Sequence, residues 1–435
     1  MIIYSHTLTT RLQYVVDFLS GYFSTPIKII CDEEKYLANT DPVKINYSFH
    51  RLSADEIWIN SHVLLFETAV RSVKIECFEL NDFKAFFKAE GDVGFDPLAG
   101  IFYLLTRYEE YLPHQKDEYG RYSHENSLAF KENFLHLPLV NIWLHHLKII
   151  VEQKFPGAKL NEQGFRFLPT YDIDMAWSFR NKGFKRNSGA MVQLIAKGRI
   201  GNVAERVRVL RGKKADPYDA YQWMDQLHQE FNLTPIYFFL VAQERGKLDK
   251  NIDVETPEFQ HLVLEISKKY QVGLHPSWAS NERATYLPKE KHFLEQITGK
   301  HITKSRQHFI RLEMPTTYRR LITLGITDDY SMGYGSINGF RASIACTYYW
   351  YDLKNELPTK LAIHPFCFMD ATSFYDQGNA HEDAFREVMQ YLKIVKSYGG
   401  QMITIWHNSF LGTDPEFEGW REIYLRFIES VTSKS

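Results

Sequence analysis

Two carboxylates one residue apart, Asp172 and Asp174, stand at the end of an apolar run in FRFLPTYDIDMAW. In an extended chain, positions i and i+2 share a face, so both carboxylates project together from the strand end. Like charges that close need a cation between them, a proton retained on one, or screening by solvent. A solvated strand cap is the plain alternative. Further along the chain, residues able to carry protons or bind metal recur where other apolar runs stop. They are His275 in QVGLHPS, Arg306 and His308 in SRQHFIRLE, Asp328 and Asp329 in ITDDYSMGY, and His407 in QMITIWHNS. Carboxylates and imidazoles in such a series suit hydrolysis: a water made nucleophilic, an oxyanion stabilised, and a proton delivered to the leaving group.

The elements that must position these residues alternate in type. β-like runs, among them TPIYFFLVA and LAIHPFCF, are separated by helical patterns such as DAYQWMDQLHQEF, PEFQHLVLEISKKY, PTTYRRLITLG and HEDAFREVMQYLKIVKSYGG. Repeated βα units imply a parallel barrel or sheet, and such folds build their sites at the C-terminal ends of strands. Ahead of this region, IKIICDEE, EIWINSHVLLF and SVKIECFEL mix with the helical patterns DPLAGIFYLLTRYEEYL and LVNIWLHHLKIIVEQKF, and FPGAKLNEQG reads as a linker. The division expected is an α/β segment over residues 1–162 and a second α/β unit over residues 163–435. Glu109 and Glu110 read as the solvated tip of a packing helix. The stretch from Arg180 to Asp219 is a basic, Gly-containing insertion, read as a solvated face or as a guide for an anionic polymer.

A chain of 435 residues fits two domains, or one large domain with an extension. Its 51 Lys and Arg against 53 Asp and Glu give no electrostatic case for nucleic acid or an anionic membrane surface. Cys31, Cys77, Cys346 and Cys367 lie far apart without CxxC spacing and read as reduced thiols. No apolar run approaches the roughly 20 residues needed to span a bilayer, and the first residues lack a secretory pattern, so the expected address is cytoplasmic. An aromatic content of 15% is ordinary core filling that also permits a carbohydrate groove.

Taken in order, the motifs resemble the NodB-type polysaccharide deacetylases of carbohydrate esterase family 4, over roughly residues 165 to 415. The N-terminal segment ahead of them resembles bacterial members with an extra domain. The resemblance implies a distorted (β/α) barrel, a divalent metal with zinc as the expected ion, and removal of N-acetyl groups from aminosugars of a polysaccharide or glycan precursor. TYDID is similar to the family's first motif, which makes Asp172 the general base and Asp174 a metal ligand. His275 would be the second ligand. The family's companion histidine, four residues on, is here Ala279, and His308 is the replacement on offer. Arg306 would orient Asp172, and His407 would be the general acid. A structural histidine at 308 and a structural ion pair at 306 are the alternatives. Asp328, Asp329 and Tyr330 are expected near the mouth, while His364 and Asp370 would line the pocket, His364 also as a metal candidate. Two other functions are compatible: an inactive carbohydrate- or partner-binding descendant, and a metal-independent hydrolase of a small cyclic amide.

Overall fold

In the computed structural model, which describes residues 1–433 apart from 197, 199 and 245, the chain begins with a small parallel sheet. Its strands β1 (Ile2–Tyr4), β2 (Lys28–Ile30), β3 (Lys44–Ser48) and β4 (Ile57–Asn60) run in the order β2-β1-β3-β4. An antiparallel pair follows, β5 (Phe78–Leu80) with β6 (Phe83–Ala85). The helix Pro97–Leu105 is capped by Asp96, whose carboxylate accepts the backbone N–H of Ala99 at 2.9 Å. Every residue of that helix is buried, so it fills the core instead of presenting a polar face.

The second sheet carries the candidate site. Its strands are β7 (Phe165–Ile173), β8 (Ile236–Leu240), β9 (Gln271–His275), β10 (Lys304–Ser305), β11 (Asp328–Asp329), β12 (Tyr348–Asp352), β13 (Leu357–Ile363), β14 (Phe368–Met369) and β15 (Gly400–His407). They are ordered β12-β13-β11-β10-β9-β8-β7-β15-β14, and all pairs but β12-β13 are parallel. The expected parallel α/β architecture is therefore present. The ladders form an open array: among the described residues none joins the edge strands β12 and β14, so hydrogen bonding does not close a barrel.

Side-chain alternation divides the two faces of this sheet. Tyr171, Ile173, Tyr237 and Phe239 join the large core under the helices, while Phe238, Ile236, Ile403 and Ile405 meet Tyr330, Phe366 and Met369 in a separate small cluster. Thr170 and Asp172 alternate with Tyr171 and so share the face of the small cluster. Where the apolar residues of that face run out, its polar ones begin.

The large core is continuous from the first sheet to the second, and the two are also tied by polar contacts. Tyr14 Oη donates to the Tyr349 carbonyl at 2.7 Å, and Arg11 pairs with Glu356. Glu110 overturns its reading as a solvated tip. It is buried, with Arg107 Nε at 2.8 Å and Arg341 Nη2 at 2.6 Å, while Glu109 takes Arg107 Nη2 at 2.7 Å. The helix ends at Leu105, and Arg107 adopts a left-handed conformation (φ 53°), which turns the two acids inward. Burial pushes the Glu110 carboxyl up, but Arg341 and Arg107 outweigh it and hold the group down at about 2. Its contribution to stability is thus complete above the ordinary carboxylate range and is lost progressively as pH falls from there through about 2. Glu110→Ala strands the buried Arg341 guanidinium and leaves Arg107 with Glu109 alone, and a loss of about 3–5 kcal/mol in unfolding free energy at pH 7 is expected from denaturant titration.

Candidate metal centre

β7 delivers Asp172 as its penultimate residue, and Asp174 follows just beyond the strand. Parallel pairing sets Asp172 beside His407 of β15, and Leu240 of β8 beside His275, the last residue of β9. His308 does not lie on a strand. The expected strand SRQHFIRLE stops at Ser305, and His308 opens a short 3-10 turn in which Phe309 (φ 57°) and Ile310 (φ 53°) are both left-handed. For a β-branched residue such as Ile310 that conformation is costly, and the surroundings must enforce it. Part of the restraint comes from the N-terminal segment, where Arg121 Nη1 donates to the Phe309 carbonyl at 2.8 Å and Arg121 Nε binds Asp117 at 2.6 Å.

These elements bring Asp174, His275 and His308 together. His275 Nε2 lies 3.1 Å from Asp174 Oδ1, and His308 Nε2 lies 3.4 Å from Asp174 Oδ2. The other ring nitrogens are occupied. His275 Nδ1–H donates to the Arg306 carbonyl at 2.6 Å, and His308 Nδ1–H donates to Asp249 Oδ1 at 2.9 Å. This is how metal-binding histidines are usually held, with Nδ1 fixed by an acceptor so that Nε2 presents its lone pair. Asp174 Oδ1 is buried and has no hydrogen-bond donor.

The spacing can be tested against an ion. Tetrahedral zinc with ligand bonds of ~2.0–2.1 Å separates its ligand atoms by about 3.3 Å. The observed separations, 3.1 Å to Asp174 Oδ1 and 3.4 Å to its Oδ2, lie near that figure, and one ligand atom from each of the three residues falls within 4.8 Å of the others. One carboxylate and two imidazoles therefore fit a divalent metal with open positions for water and substrate.

Around this trio stand two further pairs. Arg306, fully buried, donates from Nη1 to Asp172 Oδ1 and Thr170 Oγ1, both at 2.8 Å, and from Nε to the Tyr330 carbonyl at 3.0 Å. Its guanidinium sits 4.4 Å above the Phe238 ring. This ion pair supplies a cation for one of the two adjacent carboxylates, and the imidazoles serve the other. On the neighbouring strand β15, His407 Nδ1–H donates to Asp370 Oδ1 at 2.6 Å, and Asp370 Oδ2 accepts the His407 backbone N–H at 2.7 Å. His407 Nε2 then lies 3.6 Å from Asp174 Oδ2.

The electrostatics follow from these contacts. Burial raises the Asp174 carboxyl, but His308, His275 and His407 outweigh it and hold the group well below the usual carboxylate range. Burial works against a charged His308, yet Asp174 and Asp249 push its imidazole up to about 9. His407 is pushed up to about 10, burial again being outweighed, chiefly by Asp370.

A cavity of about 430 Å³ opens over the cluster, within the range of small-ligand sites. Asp172, Asp174, His275, His308 and His407 form its floor, with Phe309, Tyr375 and Tyr119 among its walls. Tyr119 and its neighbours Glu118 and Arg121 come from the N-terminal segment, which thereby forms part of the site.

Three sequence expectations are corrected here. Asp328 and Asp329 are not at the mouth. Asp328 accepts a hydrogen bond from His364 Nε2–H at 2.9 Å, and Asp329 is buried and accepts the N–H and hydroxyl of Ser331. Tyr330 lies inside the curl of the sheet, its ring stacked on His364 at 4.3 Å. His364, occupied by Asp328 and by Thr347 Oγ1, lines no part of the cavity and is no metal candidate. Asp370 lies behind His407, not on the wall. Asp249 escaped sequence reading altogether, since it sits in a loop far from any motif. Besides His308 it accepts the backbone N–H groups of Trp278 (2.9 Å) and Ala279 (3.2 Å), so the position that lacks the second histidine helps hold the carboxylate that orients His308.

Residues 1–156 match a family model described as a family of unknown function, DUF7033. A search of curated proteins found no match. Among solved structures, a putative polysaccharide deacetylase from Mycobacterium smegmatis is similar at a TM-score of 0.41 and 13% identity, covering 64% of this chain and 87% of that one. A polysaccharide deacetylase from Bacillus cereus is similar at a TM-score of 0.29 and 11% identity, covering 61% of this chain and 87% of that one. At these scores the activity must be read from the side chains themselves.

Because His308 keeps its proton to about pH 9 in the metal-free protein, a metal that takes its Nε2 must displace that proton. Calorimetric titration with zinc at pH 7.5, in buffers of different ionisation enthalpy, should show about one proton released per ion bound, with affinity rising toward pH 9. His308→Gln should abolish the release. Asp249→Asn should weaken binding about 10–100-fold while leaving the first ligands in place.

Proposed function

We propose that the protein is a metal-dependent hydrolase that removes N-acetyl groups from aminosugars of a glycan or its precursor, on a (β/α) scaffold of the NodB type. The observation that carries this reading is the convergence of two imidazole Nε2 atoms on Asp174, between an Arg-held carboxylate and an Asp-held imidazole. Amide hydrolysis needs a base and an acid on either side of the reacting carbon, and Asp172 and His407 supply that pair.

Asp174, His275 and His308 would hold the ion, which when bound supplies Lewis acidity toward water and the acyl oxygen. Asp172 takes the proton of the attacking water. Its Oδ1 is fixed by Arg306, which leaves Oδ2 for the proton. As the carbonyl carbon becomes tetrahedral and then collapses, the C–N bond breaks. His407 Nε2–H protonates the departing amine, and acetate remains. Asp370 keeps His407 in the charged, Nδ1-anchored form this step requires. The aromatic walls at Tyr119, Phe309 and Tyr375 suit the apolar face of a pyranose, and the enclosed volume favours a short sugar segment.

The test is acetate release from N-acetylglucosamine oligomers by the metal-loaded protein. Asp172→Asn should bind metal normally and lose about 10²–10⁴-fold in kcat. Full activity in that variant, or after exhaustive chelation, would sink the mechanism, and no release from any N-acetylated sugar would favour a binding role. With His407 as the acid, kcat/KM falls as pH rises through its pKa. Asp370→Asn removes the carboxylate that raises it, so the alkaline limb should move down toward the ordinary imidazole value of about 6.5.

A further inference from the structure

The near-neutral total charge conceals one strongly polarised segment. Residues 180–214 hold eleven Lys and Arg against the single acid Glu205, a local net charge of +10 in a chain whose total is −2. The segment folds as two helices, Gly183–Ala196 and Ile200–Leu210, packed against each other. Its root is firmly held. Asp216 accepts the backbone N–H groups of Ser178 (2.7 Å), Phe179 (2.8 Å) and Arg180 (2.9 Å), and the Arg206 guanidinium covers the Phe179 ring at 4.5 Å.

The far end is different. Ile200 (71% exposed) and Val192 (64%) are the two most exposed large hydrophobic side chains among the described residues, and Ile195 (60%) stands beside them in sequence. All three lie at or near the turn between the helices, within the basic segment of the sequence. Aliphatic side chains left in water at the tip of a cationic hairpin are unfavourable in a free protein and gain only if an apolar phase receives them.

We propose that this hairpin docks the protein on an anionic membrane surface, inserting Val192, Ile195 and Ile200 among the lipid chains while its Lys and Arg side chains meet the headgroups. Basic residues flanking exposed aliphatic ones are the composition of interfacial helices, and neither feature alone gives stable attachment. A nucleic acid or soluble anionic glycan would reward the Lys and Arg residues but offers nothing to the three aliphatic ones. Two hairpins facing each other would repel at +10 apiece, which argues against a second copy through this face. The hairpin follows directly on β7, whose end carries Asp172 and Asp174, so docking sets the mouth of the cavity on the side of the molecule from which the hairpin leaves. The surface stands independently of the hydrolase reading.

The experiment is co-sedimentation of the full chain with vesicles of phosphatidylglycerol and phosphatidylcholine in equal parts, and with phosphatidylcholine alone, at 0.1 and 0.5 M salt. Binding to the anionic vesicles at least tenfold above the neutral ones, weakened by salt, is expected. Val192→Ser/Ile195→Ser/Ile200→Ser should cut it about tenfold, as should Arg208→Glu/Arg211→Glu/Lys213→Glu, both with unchanged unfolding midpoint and metal content. No vesicle binding overturns the proposal. So does anionic binding that survives the serine substitutions and is matched by heparin, which would assign the surface to a soluble polyanion. Concentration-dependent self-association lost in the serine variant would also overturn it, in favour of a second copy.

Discussion

Arg306 is the residue on which the rest of the centre depends, because its two ends serve different halves of it. Its side chain crosses the interior of the curled sheet to hold Asp172 and Thr170 of β7, while its own carbonyl fixes the Nδ1 of His275. A fully buried guanidinium is tolerable only when its charge is matched, and here a carboxylate and an aromatic face do so. The same ion pair holds Asp172 in place. Position of the base and orientation of a metal ligand are thus set by one buried cation.

The second ligand set is assembled differently. His308 comes from a turn whose backbone is forced into the left-handed region, and the forces that hold it are non-local: Asp249 from the loop after β8, and Arg121 from the N-terminal segment. Gly335 belongs to this arrangement, because a Cβ there would come within 2.1 Å of Arg121 Nη1.

What the sequence made legible was residue type at strand ends. The period-2 runs located β7, β8, β9 and β15, and with them Asp172, His275 and His407, because buried parallel strands announce themselves by composition. Arg306 and His308 were legible as types, but their element was not. Two residues of β10 suffice to place them, and the turn after it owes its shape to Asp117 and Arg121 far back in the chain. Asp249 and the role of Asp370 were hidden for the same reason, since a carboxylate that orients a histidine need have no fixed spacing from it. Asp328 and His364 misled because a polar residue at the end of an apolar run is read as facing the site, and Glu110 because one at a helix end is read as solvent-facing, whereas these three are satisfied by partners from other elements.

The Glu110 cluster has a consequence for how the chain is made. Arg107 and Glu110 are synthesised long before Arg341, the partner 231 residues away that completes their charge balance. At translation rates of 5–20 residues per second, that interval is about 10–50 s. Throughout it the first sheet exists without the cation, the apolar wall and the Tyr349 carbonyl that later cover it. The N-terminal segment is therefore made before the residues that complete its charge balance, and that delay is part of the physical cost of letting it line a site built by the rest of the chain.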